Sequence, residues 1–168
     1  RQPPPYEHRP PPCPSWGALP LPPPSGGDDV LWSRADEAFR SLRPIDGRAN
    51  LLHRDLHPMN VLWRDGRIVG VVDWVNACVG HPHAELGNAR WNLAVLADPE
   101  AADSYLRSYL AMTGGGKYAP FWELEAVLGR AAELGAPGYW SSIGRPDIDA
   151  RRVVKVSEEL LRRAIRRA

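Results

Sequence analysis

The sequence predicts an α+β domain that is mostly α-helical and contains one small β-hairpin. Apolar residues recur at helical spacing in several segments, and the first of these covers residues 30–42. Later in the chain, Asp65-Gly66 lies between two short apolar runs, and this dipeptide is typical of the two-residue turn of a hairpin. With 168 residues, of which 43% are hydrophobic, the chain is long enough for one domain with its own core.

Composition and charge exclude several classes of partner. The formal net charge is +1, which gives no electrostatic reason to expect nucleic acid or an anionic membrane surface as a partner. No apolar run approaches the roughly 20 residues that a membrane-spanning helix needs. Cys13 and Cys78 match no disulfide or metal-binding framework, and no secretory signal is recognisable, so a cytoplasmic location is expected.

Residues 1–27 form a proline-rich arm that contains eleven of the eighteen prolines. Each proline fixes φ and removes a backbone donor, so we expect an irregular or polyproline-II conformation in the arm. Two interpretations remain open. The arm is either a linker or strap laid over the domain, which we favour, or a docking ligand for a proline-binding module.

The remaining elements follow from local start and stop signals. Asp28 suits the beginning of the first helix, and Pro44 ends its pattern. A strand is expected at about residues 50–53. Asp98, followed by proline, starts a later helix, and Gly114 begins a glycine run that stops it. The complete set of predicted helices covers residues 30–42, 82–97, 99–112, 119–134 and 148–167.

The predicted hairpin brings two distant polar residues together. If Asp65 and Gly66 form its loop, regular pairing places Asn60 opposite Val71. Asn60 and Asp73 then lie at the same open end of the hairpin, although thirteen positions separate them in the sequence. This end of the hairpin is therefore a candidate functional site.

A second carboxylate lies close to this end in the sequence. Asp55 precedes Asn60 by five residues, in a loop that Pro58 is expected to keep from becoming helical. Two carboxylates and an amide oxygen make an all-oxygen set, which suits Mg²⁺, and a carboxylate off the metal can accept a proton from an attacking hydroxyl. The spacing H-R-D-x-x-x-x-N, followed by an apolar strand and Asp73, is typical of kinase-type phosphoryl transfer. Taken singly these residues also fit ordinary turns and caps, but the linked set favours the catalytic interpretation.

Three segments carry a resemblance to a known family. "LLHRDLHPMNVLW", "VVDWVNACVG" and "AELGNARWNLA" resemble the C-terminal lobe of the aminoglycoside phosphotransferase and choline kinase-like family, which has a protein-kinase-like fold. The resemblance is close over residues 50–97 and extends in general layout over residues 28–168. It implies a catalytic loop at 53–60, a metal-binding hairpin end at 60–73 and a helical remainder at 82–168.

The resemblance also implies a role for each matching residue. Asp55 would be the catalytic base that positions the acceptor hydroxyl. Asn60 and Asp73 would hold the Mg²⁺ that bridges the phosphates of ATP or GTP. His53 would brace the catalytic loop, and Glu85 stands where the family has an acid, mostly Asp, that steadies this loop.

The family builds its nucleotide site partly from an N-terminal lobe, which is not recognisable upstream of Asp55 in this sequence. We therefore expect the catalytic lobe of an ATP-dependent phosphotransferase that acts on a hydroxyl of a small molecule and is incomplete as this chain. Only eleven residues separate Asp73 from Glu85, which leaves no room for the long activation loop of a protein kinase. Two alternatives remain: a non-catalytic remnant of the lobe, and a binding module that pairs with a separate N-lobe segment. The acceptor, the nucleotide preference and the oligomeric state stay open.

Overall fold

The computed structural model of the chain describes residues 23–43, 49–114, 116–130 and 138–168. Most of the proline-rich arm predicted at 1–27, together with Pro44 and Cys13, lies outside the described residues. The described part is mostly helical with two small antiparallel sheets, which confirms the α+β prediction. The helices are α1 (Asp29–Ser41), α2 (Pro82–Leu96), α3 (Pro99–Met112), α4 (Pro120–Leu128), α5 (Tyr139–Ser142) and α6 (Ala150–Ile165). The strands are β1 (Asn50–Leu52), β2 (Val61–Arg64), β3 (Arg67–Val71) and β4 (Cys78–Gly80).

Local capping explains where several helices begin and end. Asp28, Asp98 and Asp149 are the N-caps of α1, α3 and α6, and each side chain accepts a backbone N–H from three residues further along. Such a cap stabilises a helix by about 1 kcal/mol, because it satisfies an amide that has no partner within the helix. Gly114 follows the end of α3 with a φ of 87°, which is the conformation expected of a terminating glycine. The predicted starts of α1 at Asp28 and of α3 at Asp98, and the predicted stop of α3 at Gly114, are confirmed, whereas the predicted stop at Pro44 lies outside the described residues.

The main core lies where α1, α2, α4 and α6 meet. Trp91 of α2, Leu124 of α4 and Leu160 of α6 are all buried in it. The Trp91 indole N–H donates to Ser157 Oγ at 2.9 Å, so the buried ring also satisfies its one polar group. A second, smaller cluster lies under β1 and β4 and consists of Leu52, Cys78, Ala84 and Trp122. The smaller cluster contains Leu52, the last residue of β1, so buried packing extends to the point where the next loop begins.

The two sheets differ from prediction in pairing and register. β1 pairs with β4, a strand that local patterns do not predict because its partner is distant in sequence. In the hairpin of β2 and β3, an irregularity between Leu62 and Trp63 shifts the register by one residue, so that Val61 pairs with Val71. The predicted pairing of Asn60 with Val71 is therefore wrong. A β-bulge adds one residue to one strand, and local sequence alone does not place it.

Three further expectations need correction. A single 3₁₀ turn runs over Pro58–Asn60, since proline is tolerated at the first position of a helical turn, so the loop is not free of helix. The helix predicted over 119–134 ends at Leu128, and its expected last residues, 131–134, lie outside the described part. Cys78 is buried and disulfide-bonded, whereas the isolated cysteines had offered no spacing pattern from which to expect a disulfide.

None of the described helices has both the length and the apolar character to cross a bilayer.

Candidate active site

The predicted catalytic loop, residues 53–60, contains a residue in a strained backbone conformation near its start. Arg54 has a φ of 66°, in the left-handed region, which costs a non-glycine residue about 1–2 kcal/mol. The Glu85 carboxylate accepts the backbone N–H of His53 and that of Arg54, the latter at 2.9 Å. On the other side, Asn88 Nδ2 donates to the Arg54 carbonyl at 3.0 Å. Two side chains of α2 thus hold the backbone of this residue from both ends.

His53 joins the loop to the end of strand β3. Its Nε2 lies 2.7 Å from the Val72 carbonyl oxygen, and its Nδ1 accepts the Asp55 backbone N–H at 3.2 Å. Because a carbonyl only accepts and an amide only donates, these contacts assign the hydrogen to Nε2 and leave Nδ1 bare. The buried ring therefore couples Asp55 to the backbone that immediately precedes Asp73.

Asn60 makes a second connection between the same two segments. Its side-chain Nδ2 donates to the Asp55 backbone carbonyl at 2.9 Å, and its backbone carbonyl accepts the Val72 N–H at 2.9 Å. The side chain is largely buried, and with its nitrogen committed to Asp55 the amide oxygen is the atom that remains for a ligand. The structure thus brings Asp55, Asn60 and the chain next to Asp73 to one end of the hairpin, as the sequence predicts.

Asp73 is exposed and has a left-handed backbone, with φ 64° and ψ 58°. It precedes the 3₁₀ turn Trp74–Asn76, yet its side chain does not cap that turn. The interpretation of Asp73 as an ordinary capping residue therefore finds no support in its hydrogen bonding. An exposed carboxylate that does not cap the following turn suits a residue that binds a ligand at the surface.

A histidine and an arginine flank the Asp55 carboxylate. His57 Nε2 lies 3.7 Å from Oδ2, and Arg130 Nη2 lies 3.9 Å from Oδ1. The interaction with His57 lowers the pKa of Asp55, and the positive charge of Arg130 acts in the same direction against the opposing effect of partial burial. Asp55 is therefore ionised at neutral pH, as a residue that accepts a proton must be.

Sequence reasoning missed the support that Asn88 and Arg130 supply. Arg130 donates from Nε to Asn88 Oδ1 at 2.8 Å and from a second nitrogen to the same oxygen, and its guanidinium carbon lies 4.9 Å from the centre of the Trp91 ring. Asn88 and Trp91 belong to the segment "AELGNARWNLA", so their neighbourhood carried a signal although their roles did not. Arg130 follows the end of α4 in a turn, and no local pattern marks it.

The donor atoms at the hairpin end fit a hard divalent cation. Asn60 offers an amide oxygen and Asp73 a carboxylate, and Mg²⁺ prefers such oxygen donors, with phosphates and waters completing its octahedron. Among the described residues, no group of three or more His, Cys, Asp or Glu side chains is placed to hold a metal ion. A cation at this site would therefore depend on Asn60, Asp73 and oxygens from its substrate or solvent.

The hairpin beside the site exposes large apolar side chains. Trp63 is 61% exposed, Ile68 59%, Val69 53% and Leu62 47%. An isolated two-stranded hairpin is only marginally stable in water, and exposed apolar surface of this kind commonly marks a binding surface. These exposed side chains belong to the hairpin whose open end carries Asn60 and Asp73.

Comparison with models of known protein families gives a match over most of the chain. The model of a family described as "Phosphotransferase enzyme family" matches residues 10–121. The matched range starts within the proline-rich arm, continues through the catalytic-loop segment and both sheets, and ends at the beginning of α4. No protein among the curated proteins matches the chain.

Proposed function

Because the chain belongs to the phosphotransferase enzyme family, we propose that it transfers a phosphoryl group from ATP to a hydroxyl group of a small molecule. The observation that carries this proposal is the double attachment made by Asn60. One hydrogen bond joins it to the Asp55 carbonyl, and another joins it to Val72, next to Asp73. Asn60 thereby joins the segment of Asp55 to the backbone before Asp73, which supports the proposal because transfer to a hydroxyl requires a base and metal ligands close together.

In this proposal each residue has a distinct task. Asp55 accepts the proton of the acceptor hydroxyl as the hydroxyl oxygen bonds to the γ-phosphorus of ATP, and the bond from that phosphorus to the β,γ-bridging oxygen breaks to release ADP. The lowered pKa of Asp55 keeps its carboxylate ionised for this step at neutral pH. Asn60 and Asp73 hold Mg²⁺, which would neutralise charge on the phosphates when bound. His53 and Glu85 keep the loop in place through the hydrogen bonds described above.

The segment after Asp73 supports a small-molecule acceptor over a peptide. Here the chain passes from the 3₁₀ turn Trp74–Asn76 into β4, and α2 begins at Pro82. This connection consists of the 3₁₀ turn, β4 and single linking residues, so it contains no long loop on which a peptide substrate could dock.

A second proposal concerns completeness. The exposed apolar side chains of the hairpin, with Trp63 at 61%, favour a lobe that needs a further nucleotide-covering segment or separate N-lobe to complete its ATP site. In that case the described lobe alone would bind Mg²⁺ and ATP weakly. A lobe that binds neither would instead be a non-catalytic remnant.

The test is Mg²⁺-dependent ATP binding by the purified chain, measured by calorimetry, with two matched variants. Asp73 and Asp65 both have a left-handed backbone on the same exposed hairpin, with φ values of 64° and 50°. Asparagine tolerates this conformation, so Asp73→Asn and Asp65→Asn each remove one charge with little strain. We expect Asp73→Asn to weaken binding at least tenfold and Asp65→Asn to leave it unchanged. Equal effects of the two variants would refute the metal site.

A transfer assay then tests the role of Asp55. Labelled ATP is incubated with a panel of hydroxyl compounds, and phosphorylated product is measured for the wild-type chain and for Asp55→Asn. We expect the variant to keep Mg²⁺-dependent ATP binding and to lose transfer by a factor of about 10² or more. Full activity in Asp55→Asn would exclude this residue as the base. A folded chain that does not bind ATP would support the remnant.

A further inference from the structure

Trp74 follows Asp73 directly, and its side chain forms a hydrogen bond with the strand that precedes Asp73. Its indole N–H donates to the Val71 carbonyl oxygen at 2.9 Å, so one hydrogen bond encloses Val72 and Asp73. The indole ring also packs against the His53 ring, with 4.7 Å between their centres and 56° between their planes. Trp74 is therefore attached both to the strand before Asp73 and to the catalytic-loop segment.

With the contacts of Val72, these contacts fix the backbone on both sides of Asp73, whose left-handed conformation is unfavourable for aspartate. On the N-terminal side, Val72 donates its N–H to Asn60 and accepts from His53. On the C-terminal side, the Trp74 carbonyl accepts the Ala77 N–H at 3.0 Å. Asp73 lies between these fixed points with a left-handed backbone, and such backbone strain persists where the surroundings over-determine it.

Burial in a core does not account for Trp74. The side chain is 46% exposed, and it is absent from both buried hydrophobic clusters. A large aromatic residue at a half-exposed position contributes through its specific contacts, and both of its described contacts converge on the backbone that carries Asp73.

We propose that Trp74 is a positioning residue that holds the Asp73 carboxylate where it meets a divalent cation. The inference rests on the proposed function, because it assumes that Asp73 is a metal ligand. The indole N–H of Trp74 holds the backbone at Asp73 in its left-handed conformation. The indole ring packs against His53 and so keeps Asp73 close to the loop that carries Asp55.

The probe is Mn²⁺·ATP, whose binding is measured by the enhancement of water proton relaxation, with metal-free ATP binding in EDTA measured in parallel. Trp74→Phe keeps an aromatic ring against His53 and loses the N–H, while Trp74→Ala loses both contacts. We expect Mn²⁺·ATP binding to weaken about threefold in Trp74→Phe and about tenfold or more in Trp74→Ala. Metal-free ATP binding should stay within twofold of wild type in both variants.

Met112 supplies the control because it is a large apolar side chain, 87% exposed, at the end of α3 and outside the hairpin. Met112→Ala should change Mn²⁺·ATP binding less than twofold. Circular dichroism and the urea midpoint of each variant verify folding, and Trp74→Phe carries the test by itself if the alanine variant fails to fold.

Three results would overturn the inference: wild-type affinity in the folded Trp74 variants, an equal loss in Met112→Ala, or an equal loss of metal-free ATP binding. The last result would assign Trp74 to nucleotide contact. A separate outcome identifies failure of the proposed function. If Mn²⁺·ATP binds no better to wild type than to Asp73→Asn, Asp73 is not a metal ligand, and the role of Trp74 falls with it.

Discussion

Replacement of Glu85 by glutamine tests whether this side chain stabilises the strained backbone of Arg54 near the start of the predicted catalytic loop. Glu85 lies in the first turn of α2, and its carboxylate accepts two backbone N–H groups, from His53 and Arg54. Glutamine preserves the length and shape of the side chain and removes its charge. The substitution therefore weakens both hydrogen bonds without creating a cavity.

The expected loss follows from these two bonds and from the position of the charge. Hydrogen bonds to a charged group stabilise a protein by about 1.5–3 kcal/mol and neutral ones by about 0.5–1.5, so each bond loses about 1 kcal/mol. The negative charge near the N-terminus of α2 contributes a further 0.3–1 kcal/mol or so. We expect Glu85→Gln to lower the free energy of unfolding by about 2–3 kcal/mol, which for a chain of this size lowers Tm by about 5–10 °C.

The assay is urea unfolding, combined with amide hydrogen exchange at His53 and Arg54. Glu100→Gln is the matched control, because Glu100 is an exposed glutamate in the first turn of α3, a helix that also begins with proline. It should lose no more than the helix-end contribution, below about 1 kcal/mol. If the two variants lose the same stability, or if the two amides exchange no faster in Glu85→Gln, the assignment of Glu85 as the support of the loop is refuted.

Two further predictions concern packing and charge. A Cβ at Gly87 would lie 2.3 Å from the Trp122 carbonyl oxygen, so Gly87→Ala should lower the free energy of unfolding in urea by about 1–3 kcal/mol, although alanine favours helix. Gly70→Ala, whose Cβ would lie 3.7 Å from the nearest side chain, should cause no loss. The pKa of Asp147 is lowered to about 2 by its hydrogen bonds with Arg145, so NMR titration of Arg145→Met should show it rising toward 3.8. The ion pair therefore stabilises the fold above pH 3.8 and ceases to do so as the pH falls toward 2, and an unchanged pKa in the variant would contradict this.

The predicted elements that the structure confirms depend on interactions between near neighbours. Asp98 caps α3 through an amide three residues away, and the Asp65-Gly66 turn needs only the left-handed conformations of those two residues. The hairpin register is one residue off because the irregularity at Leu62 and Trp63 depends on how the whole hairpin twists.

The sequence by itself determined which residues are candidates for the site: Asp55, Asn60 and Asp73 are identifiable because a loop and a hairpin hold them at short, regular spacings. Only the tertiary structure decided what supports them. Arg130 reaches Asn88 across forty-two positions, a contact that exists only because α4 packs against α2. Contacts within one turn or hairpin follow from local backbone geometry, whereas contacts between helices depend on how complete side-chain surfaces fit, and no local spacing encodes that fit.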